Sequence, residues 1–432
     1  MDIENVPFVS PVENDSNKSI TGMSTFTAVI FVIGAMVGSG VLVLPHAVAD
    51  AGWTGVLLIV VCCANSGYCG IILARCWIIL EERWKEYQNK VRIPYPLIGF
   101  RAWGRFMRAA VSLCLNSTLF GVATVFLLLA SQLVQSVGDQ FNISFCYWIL
   151  IFGTILCPLM WLGTPNEFWP VAVGALGTTT CACFLLFVNI LMDNHNVEDV
   201  ITFPTPTVKS FSLSFATILF AISGSSTLPT IQNDMKDRSK FSMVVAIGFF
   251  ALLVLYLPVA VAGYAVYGGQ VRNNVILSLS SGPIRTTIEI MLAGHFLFCF
   301  LIVINPTCQE LEEMLCVPHV FNWKRCLSRT TVMVVVVFVA ETVPHFEKIL
   351  NLFGGSTTTI LTFVFPPLFY LKLSYQKQSD WPERTVPLYQ KIYFILVITT
   401  GLVGGAISTF SAVQDIFSAL VFSPPCYISN TA

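Results

Sequence analysis

The chain has 432 residues, 55% of them hydrophobic and only 11% charged, and its formal net charge is −1. Soluble domains carry about 25% charged residues, so a water-soluble fold is excluded, and no nucleic-acid partner is expected. What remains is an all-α polytopic protein whose solvent is the lipid bilayer.

Residues 1–25 are polar and acidic and lack the short apolar core of a cleavable signal, so none is expected. Eleven apolar spans follow, at 24–50, 53–80, 107–137, 145–163, 170–191, 210–235, 242–267, 286–309, 328–343, 348–373 and 389–414. A helix needs roughly 20 residues to cross the hydrocarbon core. The span at 328–343 is the weakest, being short and carrying Glu341.

The first span holds an irregularity. Gly38-Ser39-Gly40 lies in its middle, and Pro45 stands five residues after Gly40. Glycines this close weaken a helix. The backbone groups a break would free survive at membrane depth only where protein encloses them. Close helix packing on small residues is the alternative.

Loop charge sets the orientation. With the N-terminus inside, the cytoplasmic side receives all but four of the 23 basic residues, the four being Lys209, Arg272, Arg285 and Lys348. The N-terminus is therefore expected in the cytoplasm and the C-terminus outside. Asn142-Ile143-Ser144 is then a sequon on the outer face, with Asn142 a candidate for glycosylation. Cys146 and Cys426 are the two cysteines on that face, and the sequence leaves open whether they pair. The other cysteines, such as Cys62, Cys63, Cys181, Cys183 and Cys299, sit in apolar runs and read as small hydrophobes. No metal site, cofactor or catalytic residue is expected.

Spans two to five recur as spans seven to ten at a near-constant offset. Five is an odd number, so two tandem units must insert with opposite orientation, the layout of inverted-repeat transporters. The units are 24–191 and 210–373, followed by an eleventh span at 389–414; tails of 1–23 and 415–432 lie inside and outside. The sixth span should then be interrupted like the first. It reads Ser223-Gly224-Ser225-Ser226 at the matching offset, with Pro229 five residues after Gly224. Two matched breaks favour a cavity over packing.

Each half-helix after a break presents free N–H groups suited to a carboxylate, and each half before it ends in carbonyls suited to an ammonium group. An amino acid carries both charges close together. The candidate site is Val37, Gly38, Ser39, Gly40, Val41, Phe220, Ser223, Gly224, Ser225 and Ser226, with no charged residue beside either break. Candidates for coupling or gating are His46, which closes the outer end of the first span, the deeper His295, Asp234 beside Lys236 and Arg238, and Asn305-Pro306. For the last pair a helix-ending device is the favoured reading. Glu289 reads as an outer-face residue.

The stretches GAMVGSGVLVLPHAVADAGW (34–53) and FAISGSSTLPTIQNDM (220–235) resemble the two signature regions of the amino acid/auxin permease family of the APC superfamily, and RWKEYQNKVRIPYPLIGFRAWG (83–104) resembles the second-to-third helix loop of an animal subgroup of it. The likeness spans 24–414. It implies a LeuT-like five-plus-five inverted repeat with an eleventh helix, helices 1 and 6 discontinuous, and secondary transport of amino acids coupled to H+ or, in some members, Na+. Sodium-coupled members place Asn four residues before the first break, where this chain has Gly34. Many members carry His after the glycine of the second break, where this chain has Ser225.

The expected function is alternating-access transport of neutral amino acids by a monomer, proton-coupled or facilitative, at the plasma membrane or a lysosomal or vesicular membrane. The alternatives are an amino acid sensor on a transporter fold and a sodium symporter. Five scattered histidines form no catalytic cluster, and an internal repeat argues against a channel.

Overall fold

Lipid offers no partner to a backbone N–H or C=O, so a chain crossing it closes those bonds within helices. The computed structural model describes residues 22–428, apart from 90, 92, 139–142, 162–168, 194–201, 318–321, 379–380 and 423–424. Fifteen α-helices occur among the described residues.

The first span is a pair, α1 (Thr25–Met36) and α2 (Gly40–Ala51), bent by 55° at its break. The second is α3 (Thr54–Arg83), and a short connecting helix α4 (Pro94–Trp103) leads to α5 (Arg105–Val137). Next come α6 (Phe145–Trp161) and α7 (Trp169–Asp193). The sixth span is again a pair, α8 (Val208–Ala221) and α9 (Leu228–Asn233). After it run α10 (Phe241–Tyr267), α11 (Pro283–Met314) and α12 (Trp323–Thr342). The tenth span begins as α13 (Phe346–Phe353), passes through π-helical turns at Gly354–Thr358 and Ile360–Val364, and ends as α14 (Phe365–Tyr375). The last is α15 (Leu388–Phe422).

Every expected span has its helix. Seven helical segments are long and apolar enough to cross a membrane, and α1 with α2 makes an eighth. Of the rest, α6 and α8 are short, and α12 carries Lys324, Arg325, Arg329 and Glu341. Two ends differ from expectation. The eleventh helix continues past 414 to Phe422, since nothing in that stretch breaks a helix. Pro306 does not end the eighth span, because α11 runs through it to Met314. One missing N–H is tolerated in a helix held along its length by neighbours.

The neighbour is α5, which forms with α11 the most extensive helix pair among the described residues. At one end Ser136 Oγ donates to Glu289 at 2.7 Å, and Arg285 Nε donates to the same carboxylate at 2.9 Å. Glu289 is thus a buried interhelical residue, 2% exposed. Toward the other end Asn116 Nδ2 donates to Glu310 at 2.7 Å, and Ser112 donates to the same side chain. A buried ion pair extends the frame: Arg329 Nε lies 2.5 Å from Glu312 and Arg329 also donates to the Met160 carbonyl, joining α12, α11 and α6. A disulfide links Cys146 at the start of α6 to Cys426 beyond α15, with Cα atoms 5.7 Å apart.

The half-helices α1 and α9 are joined through the backbone that flanks them. Met23 N–H donates to the Asp234 carbonyl at 2.8 Å, and Lys236 N–H donates to the Met23 carbonyl at 3.1 Å. Asp234 is the C-terminal cap of α9. Of the cap or gate salt bridge expected there, the cap is what Asp234 forms; Arg238 pairs with Glu81 on α3.

Candidate functional site

The two breaks lie against each other. A Cβ on Gly40 would sit 2.7 Å from the Ala221 carbonyl oxygen, and one on Gly224 would sit 2.6 Å from Met36 Cγ. The start of α2 therefore rests on the end of α8, and the end of α1 rests on the second break. At Gly40 the neighbour is backbone and only glycine allows the approach, whereas at Gly224 the neighbour is the Met36 side chain.

At the first break Val37 is extended (φ −80°, ψ 114°) and α2 restarts from Ser39. Tyr256 on α10 spans the gap: its hydroxyl accepts from Gly38 N–H at 2.8 Å and donates to the Met36 carbonyl at 3.3 Å. The first N–H groups of a helix have no intrahelical acceptor. Those of Ser39, Gly40 and Val41 have no backbone acceptor among the described residues. Ser39 is 5% exposed and makes no capping bond with its hydroxyl.

The second break is different. The N–H groups of Thr227 and Leu228 and the Thr227 hydroxyl all converge on the Gly224 carbonyl, at 3.1, 3.3 and 3.1 Å. The N–H groups of Ser225, Ser226 and Thr230 have no backbone acceptor among the described residues, and α9 has only six residues. The second break also contributes the carbonyl end of α8 and three serines, of which Ser225 is buried while Ser223 and Ser226 are half-buried.

Three other helices wall this centre. On α5, Phe126 lies 3.6 Å from the Cβ position of Gly38 and stacks on Phe296 of α11, with ring centroids 5.4 Å apart. Thr118 on the same helix hydrogen-bonds Thr357 at 2.7 Å, and Ser225 hydrogen-bonds Thr362 at 2.7 Å. Both partners lie in the π-helical turns of the tenth span, where an extra residue per turn redirects side chains and often marks a functional position. Val37, Val41 and Phe220 are buried around the two breaks.

Comparison with known proteins shows the family and the fold. The family model described as transmembrane amino acid transporter protein matches residues 21–414. The chain belongs to that family. The amino acid transporter AVT1J of Arabidopsis thaliana is similar to this transporter at 26% identity, over 89% of each chain. ANT1 of the same plant, also named an amino acid transporter, is 23% identical over 89% of this chain and 91% of its own. Both the family and these relatives are transporters, not enzymes.

Among solved structures, MhsT in complex with L-phenylalanine superposes with a TM-score of 0.57 at 13% identity, covering 90% of this transporter and 99% of MhsT. Mhp1, a nucleobase-cation-symport-1 family transporter, superposes at 0.56 and 14% identity, covering 93% and 92%. Identities this low speak for the fold alone. The LeuT-like fold and the likeness to amino acid/auxin permeases expected from the signature stretches are both borne out.

The remaining candidates of the transporter fall outside the centre. His46 sits in the middle of α2, which runs past it to Ala51 and so is not closed by it; it is half-buried, with Nδ1 3.5 Å from Asp50 one turn on. His295 is buried between α11 and α7, its ring 3.0 Å from the Thr179 hydroxyl and 3.3 Å from Cys299 Sγ. Asn305 lies on α11, one residue before the proline that the helix passes through. Asn142 lies outside the described residues.

Sequence reasoning missed Tyr256 and the hydroxyls of the tenth span. A lone tyrosine in an apolar run carries no pattern. The second omission had a signal: Gly354-Gly355-Ser356-Thr357-Thr358-Thr359 puts a glycine pair and four hydroxyls inside a membrane span.

Proposed function

We propose that the protein carries neutral amino acids across a membrane by alternating access, with the substrate held between the two breaks. The observation that carries this reading is the meeting of free N–H groups at the start of α2 with the carbonyl ends of α1 and α8 at mid-span. The first would receive a carboxylate and the second an ammonium group. No Asp, Glu, Lys or Arg occurs in 25–49 or 210–233, so a charged substrate side chain would find no counter-ion on either broken span. Saturable uptake of neutral amino acids by the purified protein in liposomes is the test. Binding without flux would favour a sensor, and neither would refute the site.

The transport is proton-coupled or facilitative and independent of sodium, and the working unit is a monomer. Gly34 supplies no side-chain oxygen, and the hydroxyls of Thr286 and Thr287 are turned back onto carbonyls of their own chain at 3.3 and 2.8 Å. Replacing external sodium with choline should leave initial uptake at fixed pH within about twofold of its starting value; loss of most uptake would reverse the assignment. His295 is the proton-carrying candidate at membrane depth and His46 the one on α2. If uptake rises as external pH falls, His295→Ala or His46→Ala should flatten that rise.

The N-terminus faces the cytoplasm and the C-terminus the opposite side of a plasma, lysosomal or vesicular membrane, with Asn142 available there for glycosylation. The Cys146–Cys426 disulfide supports this orientation, because such bonds persist in oxidising compartments. For protein at the cell surface, an impermeant maleimide should label Cys146 and Cys426 only after reduction and should never label a cysteine replacing the exposed Lys85. Labelling at position 85 without permeabilisation would invert the topology.

A further inference from the structure

Tyr256 is 1% exposed and sits on α10, outside both broken spans. A single phenol oxygen closes the two sides of the first break, accepting from Gly38 N–H and donating to the Met36 carbonyl. Buried backbone groups left unpaired cost free energy of the order of a lost hydrogen bond. Without the phenol, those two groups would be drawn toward each other's helices, and the extended Val37 would be drawn toward a wound turn. The hydroxyl also removes one donor from the site: Gly38 N–H is occupied. The N–H groups of Ser39, Gly40 and Val41 remain, beside the buried Ser39 hydroxyl.

We propose that Tyr256 is the positioning residue for carboxylate recognition: its hydroxyl holds the first break open so that the N–H groups of Ser39, Gly40 and Val41, and not that of Gly38, receive the substrate carboxylate. This rests on the amino acid site proposed above. Tyr256 acts through the backbone it holds, and the substrate need not touch it.

The experiment uses the full chain in liposomes. A twenty-amino-acid uptake screen identifies the neutral amino acid the wild type carries best, and its carboxamide then serves as competitor. The amide keeps the ammonium group and side chain but lacks the carboxylate charge, so the ratio of amide to acid inhibition constants reads the donors at the start of α2. A charge-assisted hydrogen bond contributes about 1.5–3 kcal/mol. Tyr256→Phe should therefore raise KM roughly tenfold or more and shrink the amide-to-acid ratio by a similar factor, with Vmax within about threefold of wild type. A merely structural role would lower Vmax or the amount of folded protein and leave the ratio unchanged; that result overturns the proposal. Should Tyr256→Phe fail to fold, 3-fluorotyrosine at 256 alters the donor and acceptor strength of the same hydroxyl with little change of shape. A ratio equal to that of wild type there also overturns it. If the wild type carries no amino acid at all, the failure lies in the proposed site itself and appears before any Tyr256 variant is made.

Discussion

Replacing Gly40 with alanine is expected to reduce uptake more than tenfold, while Gly38→Ala leaves most of it. The order follows from what each new methyl group would meet. At Gly40 it would sit 2.7 Å from the Ala221 carbonyl oxygen and 2.9 Å from Ala221 Cα, and backbone cannot swing aside. Overpacking of this kind costs about 1–3 kcal/mol, spent on separating the start of α2 from the end of α8. At Gly224 the first obstacle is the flexible Met36 side chain, so Gly224→Ala should fall between the two, and Gly224→Leu should abolish uptake. At Gly38 the methyl would make ordinary contact with Phe126 at 3.6 Å. Surface expression measured beside uptake separates a lost site from a lost protein. Equal activity in Gly40→Ala and Gly38→Ala would contradict the contact between the broken spans.

Glu312→Ala is expected to destabilise the protein by about 3–5 kcal/mol, the usual cost of leaving a buried charge without its partner. Glu312 faces two arginines, Arg329 Nε at 2.5 Å and Arg325 Nε at 3.7 Å. Removing the carboxylate takes the ion-pair partner from the buried Arg329, whereas Arg329→Met leaves Glu312 with Arg325. The arginine variant should thus melt closer to wild type in detergent, and the double variant Glu312→Leu with Arg329→Met should recover most of the loss. A Glu312→Ala protein that melts with the wild type would show the pair to be dispensable for stability.

Much of this architecture was legible because membrane spans announce themselves by length and apolarity, and both breaks by glycines in the middle of such spans. The helices found for 107–137, 145–163 and 242–267 begin within a few residues of those bounds. What stayed hidden depends on which side chains meet across helices. Nothing in the sequence distinguishes Glu289, clamped by Ser136 and Arg285, from a carboxylate facing water. Nor does it reveal that the breaks at Gly224 and Gly38, read as equivalents, are held by different groups. Thr227 turns the second break inward on the Gly224 carbonyl, whereas Tyr256 holds the first apart. The π-helical turns escaped notice because periodicity was read for continuous α-helix, and one extra residue per turn leaves hydropathy unchanged.

The bond between Cys146 and Cys426 has a bearing on how the protein is made. The two cysteines are 280 residues apart, and the second lies beyond the last helix. During synthesis Cys146 must wait until all later spans have been threaded and α15 has delivered its partner to the same side. Gel mobility under non-reducing conditions thereby becomes a reporter of completed insertion. Nascent chains stalled before residue 426 should keep a reactive thiol at Cys146, and that thiol should vanish when the final turn of chain is released.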